Sequence, residues 1–210
     1  MPPKAKFTHE QLQEAALALV DSEGLAGLSM RSLAAALGTG PMTLYNYVRD
    51  RTALDALVVD AVMAEARWRG TPSTDWQKDL RAIALASWRA VRRHPHVIPL
   101  ILTRRGRHAT TLDFGEALLE VLARSGRSGR DLLMAFRAVS AFITGSAQAH
   151  MAQSADQEVD PTIAEVQALA PGRFPRLAEM AKVAERVDAD DEFKAGLDIL
   201  LAGLTASRSR

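Results

Sequence analysis

Residues 28–51 read LSMRSLAAALGTGPMTLYNYVRDR, two short helical patterns joined by Gly38-Thr39-Gly40. Ser29 stands where a helix N-cap belongs, Leu33 and Leu37 repeat four apart, and Gly38 supplies a stop. Pro41 suits the first position of the second helix, where no N–H is needed. Leu44 and Val48, again four apart, turn inward as its core anchors. That leaves Met42, Thr43, Tyr45, Asn46 and Tyr47 near or just beyond its start, a mixture that neither a core nor an ordinary surface favours. Two short helices across a tight glycine turn make a helix-turn-helix, which lays its second helix in the DNA major groove.

The residue types fit that use. Hydroxyl and amide groups bond phosphate oxygens and base edges, and the methyls of Thr43 and Met42 suit the thymine methyl. Arg31 is long enough to reach a guanine or a phosphate, while Arg51 and the Lys4/Lys6 arm are candidate phosphate clamps. Two blander readings stand beside these. Tyr45 and Tyr47 also suit half-buried aromatics packing a small domain, and Arg51 equally suits a solvated surface charge.

Outward from this stretch, helix signals dominate. Thr8 with Gln11 forms a capping box, Phe7 with Leu12 a hydrophobic staple, and Leu12, Ala15, Ala16, Leu19 and Val20 share one helical face up to a stop at Gly24. Another helix starts near Asp50, with Leu54, Leu57, Val58, Ala61 and Val62 as its stripe. The run RGTPST, residues 69–74, is the clearest punctuation and sets the domain boundary: 1–68 and 69–210. Thr74 with Gln77 repeats the capping-box pattern before a long helix through Val91. Pro95 and Pro99 bracket an irregular piece, helices are expected at 112–122, 131–151, 161–168, 175–184 and 191–206, and 154–161 reads as a loop. The expected class is all-α: an N-terminal three-helix helix-turn-helix domain and a larger helical domain for ligand binding and dimerisation.

Composition excludes more than it implies. The 210 residues carry a net charge of +1, and residues 1–70 hold 7 Lys+Arg against 8 Asp+Glu, so any basic surface must come from placement. With no cysteine, disulfides, thiol catalysis and cysteine-ligated zinc are excluded. The start is polar, and no uninterrupted apolar run approaches the ~20 residues of a membrane span, so a cytoplasmic protein without a membrane partner is expected. His94 and His96 flank Pro95 with no carboxylate beside them in the chain, so no metal site is expected. There is no H-E-x-x-H, phosphate loop or paired-carboxylate constellation, which leaves a helical enzyme little support and implies no cofactor. A DNA-binding module controlled by a protein partner, without a small-molecule ligand, remains the alternative.

In the second domain, Phe193, Leu197, Leu200 and Leu204 form a near-heptad stripe, with Gly196 and Gly203 allowing close helix approach. The stripe packs either within its own subunit or across a twofold axis. A homodimer is favoured, because it sets two readers on half-sites about one duplex turn apart. Trp88, Phe114, Phe136 and His150 are candidates for lining an effector pocket, and each also suits a plain core.

The stretch GLAGLSMRSLAAALGTGPMTLYNYVRDRTALDALVVDAV, residues 24–62, resembles the DNA-binding domain of the TetR family of transcriptional repressors, most specifically in LYNYVRDRTAL. The resemblance covers residues 7–62 and implies DNA contacts at Ser29, Arg31, Pro41, Met42, Thr43, Tyr45, Asn46, Tyr47 and Arg51. AFRAVSAFITGSAQ and DDEFKAGLDILLAGL are similar to the two helices through which relatives dimerise. That similarity implies an interface with Ser140, Ala147, Gly196, Leu197, Leu200, Gly203 and Leu204. The implied function is a repressor that binds a palindromic double-stranded operator as a homodimer and is released by a small apolar effector. One departure narrows that effector: where the tetracycline repressor grips a metal–drug chelate with a His and a Glu, this chain has Leu100 and Ala149.

Overall fold

The computed structural model describes residues 6–68, 70–103, 109–155, 174–184 and 187–206. Lys4 and the helix expected at 161–168 lie outside them. Every described element is helical, and they belong to two units, Met1–Ala138 and Val139–Arg210.

In the first unit, α1 is His9–Gly27. Thr8 Oγ1 accepts from the Gln11 N–H at 3.2 Å while Gln11 Oε1 accepts from the Thr8 N–H at 2.9 Å, the reciprocal cap expected from the sequence. Gly24 has φ 69°, a left-handed value that kinks the helix one turn before its end. Ser29 and Ser32 cap α2, Met30–Ala36, in the same reciprocal way, and Gly38 at φ 61° turns the chain out of it. Pro41 opens α3, Pro41–Leu44, which continues as tight turns through Tyr47. Asp50 caps α4, Arg51–Glu65, by accepting from the Ala53 N–H at 2.8 Å.

The start of α5, Trp76–Arg93, corrects one expectation. Asp75, not Thr74, is the N-cap: its carboxylate accepts from Gln77 and Lys78 N–H at 2.9 and 3.2 Å. An ionised acceptor directly before the helix satisfies two free N–H groups and complements the helix dipole, which a hydroxyl one residue earlier cannot match. The Pro95–Pro99 piece is also more regular than expected. A 3-10 turn, Pro95–Val97, leads into α6, Ile98–Thr103, because Pro99 falls in a first turn that needs no N–H. α7 is Ala109–Ala123, and α8, Gly129–Ala155, runs on into the second unit.

α4 packs against α1 on one side and against α5 and α7 on the other, so helices before and after the RGTPST stretch share one core. Leu12, Leu28, Leu33, Leu44 and Leu54 are fully buried in it, each contributing about 1.5–3 kcal/mol relative to exposure. The stretch itself is tied down. Ser73 donates from its N–H and its hydroxyl to the two Asp79 oxygens at 2.8 and 2.9 Å, and Arg124 donates to Asp79 Oδ2 and to the Ser73 carbonyl, both at 2.6 Å.

The second unit contains the C-terminal part of α8, with α9, Pro175–Ala184, and α10, Ala189–Ala206. Phe142 of α8 lies on Phe193 of α10 with ring centroids 5.1 Å apart. Gly196 leaves room beneath it, since a Cβ there would stand 2.8 Å from the Phe142 ring and force it to shift. Three of the expected interface residues are thus used within the subunit: Gly196, Leu197 at 1% exposure and Ala147 at 3%. A side chain the single chain already buries has no area left to give a partner. Ser140, Leu200 and Leu204 are half-buried and Gly203 is open, with Ile199, 75% exposed, beside them on α10.

The segment Gly129–His150 is long and apolar enough to cross a bilayer by length and composition alone, with mean hydropathy 1.2 and 22% of it buried. It was not legible as an apolar run because Arg137, Ser140, Thr144 and Ser146 interrupt it; the average passes where the run does not.

Candidate nucleic-acid interface and cavity

The reader is built on two anchors. Leu44 and Val48 are fully buried and hold α3 and its following turn against the core. Residues on either side of Leu44 face outward: Met42 is 78% exposed and Tyr45 49%, beside exposed Pro41 and Asn46 and half-buried Thr43. On α2, Arg31 and Ser29 are exposed, with the Ser29 hydroxyl held by Ser32.

Tyr47 is placed differently from Tyr45. Its ring packs edge-on against Phe7, centroids 6.1 Å apart, and its hydroxyl oxygen accepts from the Lys6 and Phe7 N–H groups at 2.7 and 3.3 Å. Tyr47 thus ties the N-terminal arm to the turn after α3. Lys6 lies over the Phe7 ring, and its Nζ donates to Thr39 Oγ1 at 3.3 Å, which sets this cation beside the glycine turn.

Arg51 is committed to the fold. Its Nε donates to Asp55 at 2.7 Å, its Nη1 to the Leu28 carbonyl at 2.5 Å and its Nη2 to the Leu25 carbonyl at 3.2 Å. A guanidinium with all three nitrogens engaged acts as a strut between α4 and the α1–α2 connection, a role that neither reading from sequence contained. The carbonyls it bonds lie 23 and 26 residues away, beyond any local signal.

A cavity of 180 Å³ opens among α4, α5 and α7, lined by Met63, Trp68, Ile83 and Phe114, with Arg67 and Asp113 as its charged groups. Of the four pocket candidates only Phe114 lines it. Trp88 is buried core, Phe136 is half-buried on α8, and His150 is half-buried in the other unit. Arg67 and Trp68 precede the domain punctuation and carry no periodic signal, so the sequence does not mark them. Among the described residues, no three His, Cys, Asp or Glu side chains group to hold a metal ion, and Leu100 is buried and apolar.

His94 and His96 are the further surprise. The chain has no carboxylate beside them, yet the fold brings Asp21 and Glu65 to the two ring nitrogens of His94.

A buried-anchor helix-turn-helix with an outward polar and aromatic face, followed by further helices around a cavity, defines a helical DNA-binding transcriptional regulator. Residues 70–208 match the family model for the tetracyclin repressor-like C-terminal domain. The repressor DrrR1 of Streptomyces coeruleorubidus is 31% identical over 96% of this chain and 78% of its own length. The class D tetracycline repressor protein of Escherichia coli is 31% identical over 95% of this chain and 89% of its own. Among solved structures, ActR of Streptomyces coelicolor in complex with actinorhodin has a TM-score of 0.82 at 26% identity, covering 97% of this chain and 98% of that one. The chain belongs to the TetR family of transcriptional regulators and is not an enzyme.

Proposed function

We propose that the chain is a transcriptional repressor that binds a palindromic operator as a homodimer and is released by a small, mainly apolar effector. In this reading residues 1–68 are the reader and 69–210 bind the effector and the second subunit. The observation that carries it is the exposure of Met42 and Tyr45 beside the buried anchors Leu44 and Val48. Leaving that much apolar and aromatic area in water is unfavourable unless a partner covers it, and Arg31, Thr43 and Asn46 supply the hydrogen-bonding groups that base edges and phosphates require.

Dimerisation is supported by the apolar surface the single chain leaves open on α10, Ile199 with Leu200, Gly203 and Leu204, and by the low burial of Gly129–His150. An effector is supported by the cavity, whose wall is apolar apart from Arg67, Thr110 and Asp113. At 180 Å³ it is smaller than the ~300–1,000 Å³ of drug-sized sites, so an effector of one or two rings fits without widening it. ActR, of the same fold, is known in complex with actinorhodin.

Selection from a randomised duplex pool tests the reading. The purified protein should enrich a palindrome, and Tyr45→Ala and Arg31→Ala should each weaken binding to it by ~1–3 kcal/mol. Enrichment of no sequence, or wild-type affinity in both variants, overturns it.

A further inference from the structure

We propose that His94 is a positioning residue for DNA binding: as an imidazolium it ties both long helices of the reader, α1 through Asp21 and α4 through Glu65, to the C-terminal end of α5.

The ring is almost fully buried, its side chain 7% exposed. Nδ1 stands 2.8 and 3.0 Å from the two Asp21 oxygens, and Nε2 stands 3.2 Å from Glu65 Oε1. A carboxylate only accepts, and a neutral imidazole has one N–H and one lone pair. The neutral ring therefore donates to one partner and turns its lone pair on the other. Only the imidazolium donates to both, so the charged ring alone satisfies the bridged arrangement in full. The other groups around the ring suit this state. Arg93 of α5 pairs with the second oxygen of Glu65, which holds that carboxylate in orientation. His96, on the 3-10 turn, points its Nδ1 away, to the Val20 carbonyl at 3.1 Å. Residues Ile98–Thr103 of α6 include no ionisable side chain.

The position gives the tie its effect. α4 has the Arg51 strut at its first residue and Glu65 at its last. Its 15 residues make a lever of about 21 Å at ~1.5 Å per residue. A tilt of roughly 5° about the Glu65 end moves the Arg51 end by about 2 Å, enough to take the α1–α2 connection and the base-reading side chains out of register. Protonation of one ring thereby favours the DNA-competent setting, and its loss as pH rises withdraws the donation to one of the two helices.

The inference rests on the reader assignment, and its test separates the two. Affinity for a duplex selected by the wild-type protein at pH 6 is measured by fluorescence anisotropy from pH 5.5 to 8.5 at constant ionic strength, for wild type and His94→Gln. The glutamine donates to one carboxylate and does not titrate. Wild type should bind about tenfold more weakly at pH 8 than at pH 6, the loss of roughly one charge-assisted hydrogen bond, while His94→Gln should be weak throughout and flatter in pH. The other four histidines are present in both proteins, so a difference between the profiles belongs to position 94. Superimposable profiles overturn the tie and leave the reader standing. Should the wild type bind no duplex, melting temperature reads the tie without DNA: the gap between the two proteins should narrow as pH rises from 6 to 8, and a constant gap overturns it. Should His94→Gln not fold, nitrogen-edited spectra of ring-labelled wild type decide: two protonated nitrogens on His94 at pH 6 support the tie, and one overturns it.

Discussion

Replacing Arg51 by Met keeps the aliphatic stem on the surface and removes the guanidinium alone. Three hydrogen bonds go with it: to Asp55, whose side chain is 4% exposed, and to the carbonyls of Leu28 and Leu25. A hydrogen bond to a charged group contributes ~1.5–3 kcal/mol when well shielded. The arginine side chain is 51% exposed, so screening reduces each bond to about 1 kcal/mol. The expected destabilisation is about 2–3 kcal/mol, or roughly 5–10 °C in melting temperature for a chain of this size. Differential scanning fluorimetry and operator titrations over a salt series, run on Arg51→Met and Arg51→Lys, form the assay. A strut predicts that both variants melt lower, because lysine cannot span three acceptors, and that the salt slope of DNA binding holds. A phosphate clamp predicts the reverse: unchanged melting in both, a slope reduced by about one unit in Met, and recovery in Lys. That second pattern refutes the strut.

Further outcomes follow from the same geometry. Leu200→Glu places a charge in the open α10 face and should convert the wild-type dimer to monomer at micromolar concentration in sedimentation, with the subunit's own helicity retained; a dimeric variant removes α10 from the interface. Phe114→Trp fills the 180 Å³ cavity and should abolish the binding of aromatic fragments detected on wild type by ligand-observed NMR, at a stability cost of ~1–3 kcal/mol; retained fragment binding places the effector elsewhere. Asp79 is held below the ordinary carboxylate range first by the Arg124 hydrogen bond and then by the Ser73 N–H and hydroxyl, with burial opposing. Its contribution to stability is therefore present above pH ~4 and lost as pH falls through the lowered value. The melting-temperature gap between wild type and Asp79→Asn should close on acidification, and a gap constant with pH contradicts the assignment.

The local grammar of this protein was legible from residues within five positions of one another. Thr8 with Gln11, the Ser29 cap, Pro41 at a first turn and the Leu44/Val48 pair each act over one helical turn, and helix periodicity carries that range faithfully. The helix-turn-helix and its outward face followed from these alone. Even at short range, competition between neighbours was decided by geometry: Thr74 matched the capping pattern, and Asp75, one residue closer to the helix, took the role.

What joins the helices was decided only by tertiary structure. The Tyr47 hydroxyl meets the Lys6 N–H across 41 residues, Arg51 meets the Leu25 carbonyl across 26, and Asp21 meets His94 across 73. A sequence shows that such side chains can donate or accept, but the packing of α1 on α4 sets which of many acceptors comes within 3 Å. The stripe on α10 shows the same limit for apolar residues. Periodicity put Leu197, Leu200 and Leu204 on one face, and only the position of Phe142 determined that Gly196 and Leu197 serve the subunit's own core while Leu200 and Gly203 stay open. Burial is a property of what lies opposite a helix, and no local pattern contains that information.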